Sequence, residues 1–166
     1  MKNTSINPFN GKEYKLPENN TDQISINRFL KNNKSKNIVV VQGLGFVGAV
    51  MSIVCANSDK NEYAVIGVDL GNKNNYWKIA SINQGNFPIK SSDPKVEEYF
   101  QNSVNKRNFL ATHDPIAYSY ADTIIVDIGA TATSLDNGQT KVTYNDIDPD
   151  KNNFSDGIHS LFYENG

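Results

Sequence analysis

Short apolar runs, most of them rich in β-branched residues, recur along the chain from residue 37 onward and predict its strands. Three of them are "IVVVQ" (38–42), "YAVIGVDL" (63–70) and "DTIIVDIG" (122–129), and a shorter one is "FLAT" (109–112). Runs that are apolar almost throughout, rather than alternating, are typical of strands buried on both faces of a parallel sheet. We therefore expect these segments to pair in parallel.

The segments between these runs have the length and the end signals of helices. "FVGAVMSIVCANS" (46–58) is apolar nearly all round, which predicts a deeply packed helix. "NNYWKIASINQG" (74–85) predicts a short helix ended by Gly85. "SSDPKVEEYFQNSVNK" (91–106) predicts a helix with Ser92 as its N-cap and Pro94 in its first turn, and "DPIAYSYA" predicts a short helix beginning near Asp114.

Strands that alternate with helices predict an α/β fold, a Rossmann-like doubly wound parallel sheet in a single domain. Residues 37–129 would form this domain. Residues 1–36 are polar and predict an N-terminal arm, peripheral or partly ordered, in which "QISINRFLKNN" (23–33) could form a short helix. Residues 130–166 are polar and predict an irregular C-terminal segment with one strand candidate, "TKVTY" (140–144).

Composition excludes several classes of protein. The chain has 166 residues and a net charge of −2, so it has no electrostatic footprint for nucleic acid. It has no apolar run long enough to cross a membrane and no apolar secretory leader. Its one cysteine, Cys55, cannot form an internal disulfide. We expect a soluble cytoplasmic protein, and the sequence leaves a homo-oligomer open.

A glycine-rich turn carries the clearest chemistry. Gly43, Gly45 and Gly48 form a G-x-G-x-x-G pattern that follows a predicted strand and opens a helix, and Asp69 ends the next strand 21 residues later. In a dinucleotide site the three glycines permit a tight turn, close approach of a pyrophosphate, and close helix–strand packing, while the carboxylate accepts hydrogen bonds from the adenine ribose. Because Asp69 would repel a 2′-phosphate, the predicted cofactor is NAD rather than NADP. The alternative is that the glycines serve packing alone.

Segments beyond this turn resemble a known family. "VVVQGLGFVGA", "INQGNFPI" and "FLATHDPIAYSYADTIIVDI" together resemble the N-terminal domain of the UDP-glucose/GDP-mannose dehydrogenases, which are NAD-dependent nucleotide-sugar dehydrogenases. The resemblance covers about 37–128. The matching positions are Gly43, Gly45, Val47, Gly48, Asp69, Asn83, Gly85, Pro88, Ile89, Ala111, Thr112, Asp114, Ala121 and Asp122.

The resemblance implies NAD as cofactor and a nucleotide-diphosphate sugar as substrate, whose C6 alcohol is oxidised to a carboxylate for polysaccharide biosynthesis. It implies a cofactor site made of Gly43, Gly45, Phe46, Val47 and Gly48 around the pyrophosphate, Asp69 on the ribose, and Thr112 or Asp114 near the cofactor. Asp114 is explained equally well as an N-cap ahead of Pro115. Family members use a catalytic cysteine from a further domain, whereas Cys55 lies in the first Rossmann helix and is expected to be a structural thiol. We therefore assign no catalytic residue and expect the chain to be inactive alone.

Other patterns point to other classes. A non-catalytic nucleotide-binding module would carry the same turn. Asp156 and His159 have the D-x-x-H spacing of SGNH-type esterases, although the nucleophile block of that family is missing. Asp146, Asp148 and Asp150 have the spacing of a calcium loop, but Lys151 stands where such a loop needs glycine. We expect no metal site.

Overall fold

The computed structural model describes residues 3–19 and 21–127 in full, and residues 130–134 and 140–144 as backbone. The chain divides into two compact units, Met1–Asp127 and Ile128–Gly166. In chain order the first unit contains β1 (Thr4–Ile6), β2 (Glu13–Lys15), α1 (Gln23–Asn32), β3 (Asn37–Gln42), α2 (Phe46–Ala56), β4 (Tyr63–Val68), α3 (Tyr76–Asn83), α4 (Pro94–Lys106), β5 (Phe109–Thr112), a 3₁₀ helix (Pro115–Tyr120) and β6 (Thr123–Val126).

Four of these strands form a parallel sheet in the order β5-β4-β3-β6. In β3, Val40 lies opposite Ile66 of β4 on one side and Ile124 of β6 on the other. The chain thus places two strands on one side of β3 and then crosses to place β6 on its other side. This is the strand order of the first four strands of a dinucleotide-binding sheet, so the predicted fold class is confirmed.

The two faces of the sheet are covered by different elements. On one face the strand residues Ile38, Val40, Ala64 and Ile66 pack with α1 and with Ala117 of the 3₁₀ helix. The opposite face is covered by α2, α3 and α4, whose buried side chains include Ile53, Ile79 and Phe100. Side chains alternate between the faces of a strand, which is why an apolar run with no polar interruptions needs a cover on both sides.

The N-terminal segment is not peripheral where the structure describes it. Helix α1 forms as its sequence predicts, but its Ile26 and Phe29 are buried in the core that covers the first face of the sheet. Ahead of it, β1 and β2 form an antiparallel hairpin, and the Tyr14 hydroxyl is hydrogen-bonded to that of Ser81 on α3 at 2.9 Å. The sequence did not indicate this, because the apolar residues of the segment are few and are divided between the hairpin, where Tyr14 is buried, and α1.

Two further details of the helices differ from expectation. The N-cap of α4 is Asp93 rather than Ser92, since the Asp93 carboxylate accepts a hydrogen bond from the Lys95 N–H at 2.9 Å. Helix α2 is not packed all round: it buries Gly48, Ala49, Ser52, Ile53 and Ala56 and exposes Phe46, Val47, Met51 and Val54. Its small residues Gly48, Ala49, Ser52 and Ala56 lie on the buried side, where they allow close approach, together with Ile53, while the other large residues face outward.

The end of α3 is as predicted. Gly85 has φ 76°, and its N–H donates to the Ile82 carbonyl while the Asn86 N–H donates to that of Ser81. These two bonds make a Schellman motif, which requires a left-handed residue that glycine supplies without strain.

The second unit contains a described antiparallel hairpin of β7 (Ala130–Ser134) and β8 (Thr140–Tyr144). The candidate strand "TKVTY" is confirmed as β8. Its partner β7 was not predicted, because "ATATS" has no apolar alternation to mark it.

Candidate functional site

The carboxyl ends of the four parallel strands form the candidate site. β3 ends in the glycine turn, β4 in Asp69, β5 in Thr112 and β6 in Asp127. The direction of the chain across the sheet reverses between β3 and β6. In open α/β sheets ligands bind outside the carboxyl ends at such a switch point. The fold thus places the predicted site residues at the carboxyl edge of the sheet.

The glycine turn has the conformation that its spacing predicts. Gly43 has φ 91°, a left-handed value that disfavours any residue with a Cβ, and its N–H donates to the Val68 carbonyl at 2.8 Å. A Cβ at Gly48 would lie 2.0 Å from the Gly43 carbonyl oxygen. The predictions of a tight turn at Gly43 and of close packing at Gly48 are therefore confirmed.

Gly45 has a different reason to be glycine. It is the N-cap of α2 with φ −69°, and a Cβ added there would meet nothing within 4 Å. Neither backbone strain nor an internal clash requires a glycine. The space beside it is open, next to the first turn of α2, where Phe46 and Val47 are 61% and 56% exposed. The first N–H groups of a helix have no acceptor within the helix, so this opening suits an anion.

Asp69 joins the end of β4 to the glycine turn. Its carboxylate accepts hydrogen bonds from the backbone N–H of Leu44 at 3.1 Å and of Leu70 at 2.7 Å. Leu44 lies between two of the fingerprint glycines, so the predicted ribose acceptor and the turn are in direct contact. The Lys78 ammonium lies 2.5 Å from the same carboxylate, and both side chains are largely buried. The sequence analysis did not single out Lys78, since nothing in its spacing indicates which acid it meets.

Thr112 has contacts other than the expected cofactor. Its side chain is fully buried, and its hydroxyl donates to the Asp22 carboxylate at 3.0 Å and accepts from the Asp114 N–H at 3.2 Å. These bonds hold the end of β5 to the segment ahead of α1. Any contribution of Thr112 to a ligand in this conformation is through the position of this loop.

Asp114 is the N-cap of the 3₁₀ helix, as its alternative interpretation predicts. Its carboxylate accepts hydrogen bonds from the N–H of Ile116 at 3.0 Å and of Asp22 at 2.7 Å. Burial by itself raises the pKa of this carboxyl, but these backbone donors, with Thr21 and His113, outweigh it and leave the pKa below its ordinary value.

Asp127 is a second carboxylate at the glycine turn, and the sequence analysis did not assign it a role. It follows β6, and its N–H donates to the carbonyl of Gln42 at the end of β3 at 2.9 Å. One of its carboxylate oxygens lies 3.0 Å from where a Cβ of Gly48 would stand. A carboxylate therefore lies beside the first turn of α2. The sequence contained a signal for this residue, because Asp127 directly follows a buried strand just as Asp69 does.

Two titratable side chains near the sheet are partly buried. Burial, with the charge of Asp69 adding to it, raises the pKa of the Tyr118 hydroxyl well above its ordinary value. Burial also raises the pKa of the Cys55 thiol. A raised pKa lowers the thiolate fraction, which agrees with the expectation of a structural thiol in α2.

The other family-motif residues support the sheet. The Asn83 side chain donates to the Ala111 carbonyl at 2.7 Å and accepts from the Ala111 N–H at 3.0 Å, so it pairs with the open edge of β5 like a short strand. The Asp122 carboxylate accepts from the Ile38 N–H at 2.7 Å and aligns β6 with the start of β3.

Within the described ranges, no helix is long and apolar enough to cross a bilayer, and no group of three His, Cys, Asp or Glu residues is arranged to hold a metal ion. The esterase-like pair Asp156 and His159 lies outside the described residues, as does the calcium-like series Asp146, Asp148 and Asp150.

The described residues fit a dinucleotide. A left-handed glycine turn, an open helix N-terminus at Gly45 and a carboxylate at the end of the adjacent strand stand together at the switch point. These are the positions that hold the pyrophosphate and the ribose in such folds. When NAD is bound to this kind of site, it accepts a hydride from the substrate.

Comparisons with known proteins agree with this geometry. Residues 36–149, more than half of the chain, match the model of the UDP-glucose/GDP-mannose dehydrogenase family, NAD binding domain. Among solved structures, the fold is similar to that of the NDP-N-acetyl-D-galactosaminuronic acid dehydrogenase from Methanosarcina mazei Go1, with a TM-score of 0.53 and 26% sequence identity. That similarity covers 66% of this chain but only 23% of the dehydrogenase. No curated protein matches the chain significantly. The chain belongs to the UDP-glucose/GDP-mannose dehydrogenase family and carries its NAD-binding domain.

Proposed function

We propose that this chain binds NAD for a nucleotide-sugar 6-dehydrogenase, which oxidises the C6 alcohol of a UDP- or GDP-sugar to a carboxylate. The observation that supports this most directly is the Asp69 carboxylate bonded to Leu44 inside the glycine turn. In the proposed complex the turn and the first residues of α2, from Gly43 to Gly48, surround the pyrophosphate, and Asp69 accepts from the adenine ribose. Thr112 holds the neighbouring loop.

The catalytic nucleophile and the sugar site belong to further polypeptide in this proposal. The structural relative is about four times as long as the part that this chain matches. Cys55 does not replace the missing nucleophile, since it is half-buried in α2 and burial raises the pKa of its thiol. The chain by itself would bind the cofactor without turning over a sugar.

Three wider parts of the proposal rest on less: the pathway is implied by the family, the compartment by composition, and the oligomer is left open by the sequence. The oxidised sugar would serve polysaccharide biosynthesis, the protein would be cytoplasmic, and it would assemble as a homo-oligomer. Each is open to direct measurement, by sugar analysis of a deletion strain, by fractionation, and by light scattering.

The test is a calorimetric titration of NAD and NADP into the wild type and an Asp69→Ala variant. Loss of hydrogen bonds to a charged acceptor should weaken NAD binding about tenfold or more. NADP should lose less or gain, because the carboxylate no longer repels its 2′-phosphate. Asp59→Ala is the matched control, an exposed acid after α2 that should leave both affinities unchanged.

Equal NAD affinity in the wild type and Asp69→Ala, or no binding by the wild type, would contradict the proposal. Formation of NADH from a UDP- or GDP-sugar by this chain alone would contradict the assignment of the nucleophile to further polypeptide.

A further inference from the structure

A cavity of about 280 Å³ lies between the segment ahead of α1 and the carboxyl end of β5. Asn19, Asp22 and Ser25 line it from the N-terminal side, Tyr76 and Ile79 from α3, and His113 from the loop after β5. No motif in the sequence predicts this cavity. It exists because the N-terminal segment docks against the sheet.

Three hydrogen bonds attach this wall to consecutive residues of the β5 exit. The Thr112 hydroxyl donates to the Asp22 carboxylate at 3.0 Å, and the Asp22 N–H donates to the Asp114 carboxylate at 2.7 Å. The His113 ring nitrogen Nε2 lies 3.0 Å from the Asn19 carbonyl oxygen. These bonds hold the segment ahead of α1 in place as one wall of the cavity.

The cavity adjoins the ribose-binding end of the candidate site. Asp69 begins the loop after β4, and a Cβ on Gly71 of that loop would lie 3.1 Å from the His113 side chain. His113 has the loop of Asp69 on one side and the ring of Tyr76 on the other, at 6.0 Å between ring centres in an edge-to-face arrangement. A group attached to a ribose at Asp69 has this cavity next to it.

The lining selects the kind of group that fits. Its charged residues are the acids Glu18 and Asp22, with no Lys or Arg, so a phosphate is disfavoured. Burial raises the pKa of the Tyr76 hydroxyl, and the negative charge of Asp22 raises it further, so Asp22 acts on the interior of the cavity. The volume lies near the lower end of the roughly 300–1,000 Å³ typical of ligand pockets, enough for one part of a dinucleotide. Aromatic walls suit a flat base, and a carboxylate suits a base that carries an amino group.

We propose that this cavity receives the adenine base of NAD, and that Asp22, contributed by the N-terminal segment, accepts a hydrogen bond from its exocyclic amine. This inference rests on the proposed function, since it names the adenine end of the same cofactor site. In this proposal the preference for the base is determined by Asp22, which lies outside the glycine pattern of the dinucleotide site.

The first experiment compares NAD with its hypoxanthine analogue, in which a carbonyl oxygen replaces the amine. The wild type should prefer NAD by about tenfold or more, because a carbonyl would face a carboxylate with no proton between them. In Asp22→Asn the preference should be lost or reversed, because the amide oxygen keeps the Thr112 hydroxyl and the NH₂ group then donates to a carbonyl but cannot accept from an amine. Asp59→Asn is the matched control, an exposed acid that does not line the cavity and should keep the preference.

The second experiment fills the cavity. Ser25→Phe should weaken binding of NAD, ADP-ribose and AMP by a similar factor of about ten or more, because all three carry the adenine that would be displaced. Asn27→Phe places the same ring on an exposed position of α1 and should change none of them. Thermal unfolding of each variant, compared with the wild type, shows that the fold is kept.

The outcomes separate this inference from the proposed function. If the wild type binds NAD through Asp69 but Ser25→Phe binds it equally well and base preference survives in Asp22→Asn, the cavity assignment is wrong and the cofactor assignment stands. If the wild type does not bind NAD, both are wrong.

Discussion

Asp127 places a negative charge beside the part of α2 that the proposal assigns to the pyrophosphate. One of its oxygens stands 3.0 Å from the position of a Gly48 Cβ. The helix dipole stabilises a carboxylate near the helix N-terminus, as it would stabilise a bound phosphate. The Asp127 carboxylate and a bound pyrophosphate would therefore lie at the same helix end and repel each other. If the pyrophosphate binds there, we expect Asp127 to reduce the affinity for the cofactor.

Asp127→Asn should therefore strengthen NAD binding, by about 0.3–1 kcal/mol if the effect is that of one charge near a helix end. The gain should shrink as salt is added, because mobile ions screen the charge. Calorimetry of both proteins at low and high ionic strength measures it. Weaker binding by the variant would mean that Asp127 contributes a needed contact.

Asp114 links stability to pH. Its pKa is lowered in the folded state, so its contribution is complete above the unfolded value, near 3.8, and is lost as the pH falls through the folded value. In Asp114→Asn one acceptor oxygen is replaced by an NH₂ group that would face a backbone N–H. We expect a lower free energy of unfolding at pH 7 and a shallower decline below about pH 4. Urea titrations from pH 7 to 2 test this, and parallel pH curves for both proteins would contradict it.

At the scale of elements, two glycines of the turn should affect different properties, Gly48 the stability of the fold and Gly45 the binding of NAD. Gly48→Ala places a Cβ against the Gly43 carbonyl oxygen and should lower the free energy of unfolding by at least about 1–3 kcal/mol. Gly45→Ala has an allowed φ and open space, so stability should fall by no more than about 1 kcal/mol, the cost of a poorer N-cap residue. NAD affinity should nevertheless fall, since the methyl group occupies the approach of the pyrophosphate. Unchanged affinity in Gly45→Ala would contradict that approach.

Helix α1 offers a matched pair for its role as a cover of the sheet. Ile26 is fully buried in the core, whereas Ile24 on the same helix is 84% exposed. Ile26→Ala should cost about 2–5 kcal/mol, as truncation of a buried aliphatic side chain does. Ile24→Ala should change stability by less than about 0.5 kcal/mol. Equal, small losses by urea unfolding would show that the N-terminal segment does not stabilise the sheet.

The elements that could be predicted share a local cause. Each strand of the parallel sheet was visible as an apolar run, and Gly85 and Asp114 marked a helix end and a helix start through their own backbone geometry. The predicted N-cap of α4, Ser92, was wrong by one position, because the side chains of Ser92 and Asp93 can both accept a hydrogen bond from a helix N–H. The outward face of α2 was mispredicted because apolar content alone does not say which side meets the sheet.

At the scale of the whole molecule, the chain carries the NAD-binding domain of its family. The chain matches about a quarter of the length of its structural relative. A binding domain of this kind supplies orientation and charge for the cofactor, while hydride transfer also requires a held sugar and a nucleophile. Under the proposed function, the property to measure for this chain is its affinity for the cofactor.

The sequence by itself determined the parallel sheet and the turn that carries Gly43, Gly45 and Gly48, because each depends on residue types at short spacings. It indicated the family through the resemblance of motifs over about 37–128. Tertiary structure decided that the N-terminal segment covers a face of the sheet, that Lys78 pairs with Asp69, and that Asp127 stands beside α2. It also brought Asp22 to Thr112, 90 positions away, and so formed the cavity beside the site. Such contacts depend on how helices and strands that are distant in sequence pack against each other, and the spacing of residues along the chain does not predict this packing.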